Sequence, residues 1–120
     1  MKDNRVYLIH IRDCINRIET YTTEGKAAFF ADLKTQDAVI RNLQTSCEST
    51  QRLPDAWKAI RPEIDWRTIG DFRNVLAHQY LDIDLDIVWN AVVNYLPDLK
   101  QAIEESSSKI KRYERLEKPR

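Results

Sequence analysis

The residues best suited to chemistry are concentrated in one eight-residue stretch, residues 73–80 (RNVLAHQY). It holds the guanidinium of Arg73, the carboxamide of Asn74, the imidazole of His78 and the phenol of Tyr80. Imidazole exchanges protons near neutral pH, and guanidinium stays charged and presents a planar fork that matches phosphate oxygens. This set suits phosphodiester cleavage, in which a hydroxyl loses a proton, a leaving oxygen gains one and the charge on phosphorus is stabilised.

One histidine cannot easily act as base and acid at once, and the other histidine, His10, belongs to a different predicted helix with no motif around it. A two-fold axis beside the helix of residues 73–80 would bring two copies of Arg73 and His78 into one cleft. We therefore predict a composite active site in a homodimer, with Arg73 stabilising the transition state and His78 transferring protons. No metal and no cofactor are expected.

Three further residues are predicted to support this pair. Asn74 would position the phosphate or the imidazole through its carboxamide. Glu48 or Asp71 would orient Arg73 or His78. On a helical wheel Asp71, Asn74 and His78 share one side, opposite an apolar stripe, and the small residue Gly70 leaves space for a close neighbour.

Arg73, His78 and Tyr80 also have ordinary structural explanations. His78 lies near the predicted end of its helix, where the helix dipole favours an imidazolium by roughly 0.3–1 kcal/mol. Arg73 can form a surface ion pair with Asp71, and the ring of Tyr80 suits a half-buried packing position. Spacing within this stretch therefore leaves both interpretations open.

Similarity to a known family extends well beyond residues 73–80. The chain resembles the HepT-like HEPN proteins, which are toxins paired with MntA-type minimal nucleotidyltransferase antitoxins. The resemblance covers roughly residues 4 to 105 and is carried by residues 32–43 (DLKTQDAVIRNL), 64–67 (IDWR), 72–80 (FRNVLAHQY), 84–89 (DLDIVW) and 96–99 (LPDL). An arginine followed by four residues and then a histidine is strongly specific for this family when it occurs together with the segment of residues 32–43.

This resemblance implies an α-helical homodimer whose Arg73 and His78 form a metal-independent ribonuclease site. It implies an RNA substrate, for which transfer RNA is one candidate, and an MntA-type nucleotidyltransferase antitoxin that adenylylates Tyr80 to silence the toxin. One departure concerns the third helix, where the family usually has Gly-Glu-Ala and this chain has Cys47, Glu48 and Ser49.

Two other functional classes stay open on the sequence. The same polar face would serve a non-catalytic helical module that binds a nucleotide or the partner protein. A purely structural dimerisation domain would tolerate substitution of both Arg73 and His78. The presence of the full set of Arg73, Asn74, His78 and Tyr80 favours catalysis.

Length and composition predict one all-α domain. The chain has 120 residues, is 42% hydrophobic and contains only two glycines and four prolines. We predict a HEPN-type up-and-down helical bundle with a kinked long C-terminal helix in residues 1–105. Cys14 and Cys47 have no metal-ligand spacing and are expected to be reduced, in a cytoplasmic protein without a membrane segment.

The charge balance is locally uneven. Residues 106–120 hold six basic and two acidic side chains, which makes them +4, while the first 105 residues are −4 and the whole chain is neutral. A general attraction to RNA is therefore not supported, and any RNA contact must be local. The basic C-terminal extension or tail would guide RNA, bind an acidic antitoxin surface or, as we favour, form a solvated helix end.

Hydrophobic periodicity and capping residues predict the helices. A first helix spans about residues 4–21 and a short one spans residues 26–31. A long helix runs from an N-cap at Thr35 to about Leu53, and a short helical turn follows Pro54. Asp65 caps the helix that carries residues 73–80. Asp84 caps the last long helix, in which Tyr95 is a core position and Pro97 causes the kink.

Overall fold

The computed structural model describes residues 3–79 and 81–116, and all regular secondary structure in that part of the chain is helical. This confirms the all-α prediction. The elements are α1 Arg5–Tyr21, α2 Lys26–Ala31, α3 Leu33–Gln51, α4 Asp55–Ala59, α5 Trp66–His78, α6 Leu85–Asn90, a π-helical turn Ala91–Tyr95, α7 Leu96–Glu105 and α8 Ser107–Leu116. Among these helices, none combines the length and apolar character that crossing a bilayer requires.

Helix α3 is the centre of the fold, since it packs against α1 on one side and α5 on the other. Helices α7 and α8 cover a further side of α1. Helix α1 buries Leu8, Ile11, Cys14, Ile15 and Ile18, and Phe29 of α2 packs against Trp89 of α6 with ring centroids 5.4 Å apart. The position of α5 beside α3 is what places the candidate site.

Side-chain caps fix where three of the helices begin. Asp65 accepts a hydrogen bond from the backbone N–H of Thr68 and Asp84 accepts one from that of Asp86, as predicted. The predicted cap of α3 at Thr35 is wrong. Asp32 has an extended backbone and accepts from the N–H of Lys34, so α3 begins at Leu33 and Thr35 lies inside its first turn.

The last long helix accommodates Pro97 differently from the prediction. The helix does resume after the proline, but the preceding residues 91–95 form a π-helical turn, which contains an extra residue compared with an α-helical turn. That insertion shifts the apolar phase by one position. As a result Tyr95, predicted in the core, is 48% exposed, whereas Leu96 is 5% exposed.

The C-terminal segment continues as helix α8, which packs against α1 and α7. The ammonium group of Lys109 lies 5.2 Å from the centre of the Trp57 ring, a cation–π contact between α8 and α4. Basic residues 118 and 120 of the predicted tail lie outside the described residues. A functional boundary at residues 105 and 106 stays a prediction.

Candidate functional site

Helix α5 carries the candidate site and is anchored along one line only. Its N-terminus is held by Asp65, whose pKa is lowered by the hydrogen bonds from Thr68. Only Leu76 is fully buried, against α3, while Ile69 and Phe72 are partly buried. The opposite side of the helix is exposed, so the functional side chains there can meet another molecule.

The exposed side of α5 carries Asp71, Asn74 and His78, as the wheel predicted. His78 is the last residue of the helix, where the dipole favours a cation. No hydrogen bond or ion pair joins the imidazole to any residue that the structure describes, and none joins Asp71 to Arg73 or His78. The predicted orienting role of Asp71 thus receives no contact within the chain.

Arg73 lies between α5 and α3 and is held by a carboxylate. Its Nη2 is 3.6 Å from Oε1 of Glu48, and its Nη1 donates to Oδ1 of Asn74 at 3.3 Å. Gln44 in turn donates to Oε1 of Glu48 at 3.2 Å. The Arg73 side chain is 32% exposed, so the guanidinium contacts Glu48 and Asn74 and is still partly accessible to another molecule.

One polar atom of this cluster is unsatisfied. The Nε of Arg73 is buried and has no hydrogen-bond acceptor among the described residues. A buried donor without an acceptor costs roughly 1–3 kcal/mol, so such atoms are rare in proteins. Glu48, whose Oε1 lies 3.6 Å from Nη2, is the carboxylate that forms an ion pair with this guanidinium.

A second polar cluster lies across α3 from Arg73, and the sequence reasoning missed it. His10 Nδ1 and Ser49 Oγ are hydrogen-bonded at 2.6 Å, and Cys14 Sγ lies 3.5 Å from both His10 Nε2 and Thr45 Oγ1. His10 therefore has partners on α3 although no motif surrounds it. The sequence signal for this cluster is weak: His10 and Cys14 on α1, like Thr45 and Ser49 on α3, are four residues apart.

These contacts define a surface that we call the α1–α5 valley. Its floor is the side of α3 that carries Thr45 and Glu48, its α1 wall carries His10 and Cys14, and its α5 wall carries Arg73. Glu48 and Thr45 point to opposite walls, because one contacts Arg73 and the other contacts Cys14. The valley therefore brings together the predicted Arg73 and Glu48 and adds His10.

The structure also shows how the unusual Cys47 and Ser49 fit. Cys47 is 6% exposed, and burial raises the pKa of its thiol to about 12, with the neighbouring Glu48 acting in the same direction. Both cysteines are free thiols, as predicted. Ser49 hydrogen-bonds His10, so the two larger side chains are accommodated by packing and by a polar contact.

Gly70 lies where α5 approaches the end of α3. A Cβ on Gly70 would be 2.9 Å from the side-chain nitrogen of Gln51. The space that the sequence reserved for a neighbouring molecule is thus filled by the end of a flexible side chain from the same chain. The close neighbour expected at Gly70 is thus the end of α3 itself.

A cavity of about 400 Å³, which we call the α5–α7 groove, lies on the other side of α5. Its walls include Ile69 and Phe72 of α5 and Leu96 and Leu99 around α7. Carboxylates surround it: Glu63, Asp65, Asp98 and Glu105, of which Glu105 pairs with Arg61. Neither Arg73 nor His78 lines this cavity.

Tyr80, the predicted modification site, lies outside the described residues. In the sequence it follows His78 by two positions.

Comparisons with known proteins identify the family of the chain. The family described as Ribonuclease HepT-like matches residues 11–106. A probable ribonuclease HepT of Thermococcus cleftensis is 35% identical over 105 residues, which cover 87% of this chain and 96% of the relative. An mRNA nuclease HepT of Shewanella oneidensis is 29% identical over 118 residues, with 78% of this chain and 88% of the relative covered. No solved structure gives a significant match. The chain therefore belongs to the HepT-like ribonuclease family.

Proposed function

We propose that the chain is a metal-independent ribonuclease, the toxin of a toxin–antitoxin pair, with an active site composed at a homodimer interface. The observation that carries this proposal is the state of the two key side chains. Arg73 contacts Glu48 and Asn74 while its side chain stays 32% exposed, and His78 is exposed without a partner in the described residues. The names of the relatives, a ribonuclease and an mRNA nuclease, support RNA as the substrate.

The chemical step transfers the phosphoryl group within the RNA. A neutral His78 removes the proton of a 2′-hydroxyl, and that oxygen attacks the adjacent phosphorus. The bond from phosphorus to the 5′-oxygen breaks, and a protonated His78 from a second copy of the chain gives its proton to that oxygen. The products are a 2′,3′-cyclic phosphate and a 5′-hydroxyl. Arg73 stabilises the extra negative charge that develops on the phosphoryl oxygens.

Glu48 is the positioning residue for Arg73 in this proposal. When its carboxylate accepts from the orphaned Nε and from Nη2, the guanidinium plane is fixed against rotation. Two outward N–H groups then stay available for a phosphate, in the bidentate geometry that arginine favours. Asn74, which accepts from Nη1, holds the other edge of the same group.

Silencing by the partner acts on Tyr80. An MntA-type nucleotidyltransferase would transfer the adenylyl group of ATP to the phenol oxygen and release pyrophosphate. The new phosphodiester would bring a negative charge close in sequence to His78 and would compete with RNA for Arg73. Transfer RNA is one candidate for the RNA that the free toxin cleaves.

One observation favours a second candidate, a non-catalytic module that binds a nucleotide or a partner protein. The described residues provide no group that hydrogen-bonds His78 and sets its tautomer, as most catalytic histidines require. In a binding module Arg73 would hold a phosphate and no bond would break. The two candidates differ in whether purified protein generates new RNA ends.

The test is to incubate cellular RNA with purified parental protein and with His78→Ala, in the presence of a chelator, and to map the new ends. We expect cyclic phosphate ends from the parental protein and none from His78→Ala, which should keep the helical content and molecular mass of the parent. Equal cleavage by both proteins, or loss of cleavage on chelation, would contradict the proposed mechanism.

The partner enzyme is tested separately by mass spectrometry. Incubation with the cognate nucleotidyltransferase and ATP should add adenylyl mass to the parental chain and none to Tyr80→Phe, which lacks only the acceptor oxygen. Neutralisation of the toxin without any added mass would show that silencing works by another route.

A further inference from the structure

The floor of the α1–α5 valley carries two arginines that the catalytic proposal does not use. Arg41, Thr45, Glu48 and Arg52 are spaced by four, three and four residues, so they form one line along α3, which we call the α3 stripe. Thr45 contacts the α1 wall and Glu48 contacts the α5 wall. The whole stripe therefore lies along the floor of the valley.

Arg41 and Arg52 are both exposed, and neither forms an ion pair in the part of the chain that the structure describes. The single carboxylate of the stripe, Glu48, is already engaged by Arg73. Asp37, one turn before Arg41, forms no ion pair with it in the structure. The two guanidinium groups are thus free to bind an anion.

The position of these arginines relative to the proposed site follows from helix geometry. Arg41 lies seven residues before Glu48, and Arg52 lies four residues after it. At about 1.5 Å per residue the two arginines stand roughly 16 Å apart along α3, with the Arg73–Glu48 pair between them. A stacked single strand with a phosphate every 3.4 Å or so would place several phosphates along that length.

The α1 wall adds a third cation. Arg17 is seven residues after His10 on α1, hence on the same side of that helix, and it is exposed and unpaired within the described residues. The α5–α7 groove has the opposite character, since four carboxylates and one ion-paired arginine line it. The valley side of α5 thus carries three exposed arginines that form no ion pair among the described residues, while other exposed cations lie on α8.

We propose that the α3 stripe is a binding site for the backbone of single-stranded RNA, in which Arg41 and Arg52 hold phosphates on either side of the one at Arg73. This rests on the proposed function, because it takes RNA as the ligand. Contacts of this kind recognise the backbone and not the bases, so they add affinity for every sequence. They also supply the local attraction that a neutral chain otherwise lacks.

Arg52 could also be present because it stabilises the fold, and the test has to distinguish that from RNA binding. It follows the last residue of α3, and a cation at a helix C-terminus is stabilising without any ligand. Arg41 is in the middle of the helix and has no such reason. A test therefore needs both arginines, a measure of folding and a variant that keeps the charge.

The experiment measures RNA binding in a His78→Ala background, where cleavage is absent under the proposed mechanism. The probe is a fluorescein-labelled single-stranded RNA of about 12 nucleotides, and anisotropy is recorded over a range of NaCl concentrations. Arg41→Gln with Arg52→Gln should weaken binding roughly tenfold or more at 0.1 M NaCl and make the salt dependence shallower by about 1.4 in logarithmic slope. The double lysine variant should retain that slope.

The matched control removes the same charge elsewhere. Arg112→Gln with Arg115→Gln eliminates two exposed arginines of α8, a helix that packs on α1 and α7 and not on α5. This control should bind within about twofold of the parent, because phosphate contacts are local. Equal losses in the two double variants would overturn the proposal in favour of overall charge.

Two other results would overturn it. Parental affinity and salt slope in the stripe variant would show that RNA does not contact these arginines. A change in the molecular mass of the assembly, measured by analytical ultracentrifugation, would show that the stripe is an interface between protein chains. Cleavage assays on the same arginine variants with His78 restored separate this proposal from the proposed ribonuclease function. If the parental protein cleaves no RNA but its RNA binding depends on the α3 stripe, the ribonuclease proposal fails and the binding proposal stands.

Discussion

The two sides of helix α5 differ in both shape and charge. The α5–α7 groove is a cavity of about 400 Å³ with apolar walls and a border of carboxylates. The α1–α5 valley holds Arg73 in contact with Glu48, together with the hydrogen-bonded His10 and Ser49. The groove therefore lacks the Arg73 and His78 side chains that the proposed phosphodiester chemistry uses.

The difference teaches that cavity size alone is a poor guide to the site of this protein. Pockets with apolar walls and a few polar groups are the usual locations for small ligands. A polyanion such as RNA is governed by charge, and carboxylates around the groove oppose its approach while unpaired arginines in the valley favour it.

The largest expected effect distinguishes the two sides by activity. His78→Ala should lower the rate of RNA cleavage by about 10²–10⁴-fold, the usual contribution of general acid–base catalysis. Glu63→Gln and Asp98→Asn, which remove carboxylates from the groove, should leave the rate within about threefold of the parent, since no reacting group lines that cavity. Initial rates on one RNA at equal protein concentration provide the comparison. A large loss of rate in the groove variants would show that the active site lies on the groove side of α5.

The second effect concerns stability. Leu76→Ala should lower the free energy of unfolding by about 2–5 kcal/mol, because the side chain is fully buried against α3. Phe72→Ala removes a larger side chain that is only partly buried at the groove, so its cost should be smaller. Urea unfolding followed by circular dichroism measures both, and a larger cost for Phe72→Ala would mean that the groove is closed in solution.

The third effect tests whether Glu48 acts through Arg73. Glu48→Ala should reduce kcat/KM by about 10–100-fold, because a misplaced guanidinium loses much of its stabilising effect on the transition state. Added to Arg73→Ala, the same change should cost little more, since the two residues act as one unit. Additive losses in this double-mutant cycle would show that Glu48 has a role independent of Arg73.

The smallest effect is expected at Gly70. Gly70→Ala gains up to about 1 kcal/mol of helix propensity but displaces the side chain of Gln51. Gln51 is flexible at that end, so the free energy of unfolding should change by less than about 1 kcal/mol in either direction. Cleavage should be unchanged. A severe loss of stability, measured by the same urea titration, would indicate that α3 and α5 cannot separate even slightly.

Local signals in the sequence were sufficient for much of the fold. The span of α5 and its cap at Asp65 follow from a capping residue placed before an apolar period, and Asp84 was recognised in the same way. The cap at Asp32 was missed because Thr35 is an equally suitable residue type three positions later. Which of them caps depends on the backbone between α2 and α3.

Non-local features were not accessible in this way. Tyr95 was placed in the core because the sequence gives no sign of the π-helical turn that shifts the phase to Leu96. The contact between His10 and Ser49 joins residues 39 positions apart, and no spacing rule relates them. The pairing of Arg73 with Glu48 was anticipated only as one of several supporting contacts.

The central claim is that two chains share one active site, and a mixed dimer tests it most directly. Parental and His78→Ala chains carrying different tags can be co-expressed and purified as a heterodimer through both tags. If two copies of His78 serve as base and acid in one cleft, the heterodimer should retain less than about a tenth of the parental rate. A heterodimer with half the parental rate would mean that each chain has an independent site, which would contradict the account.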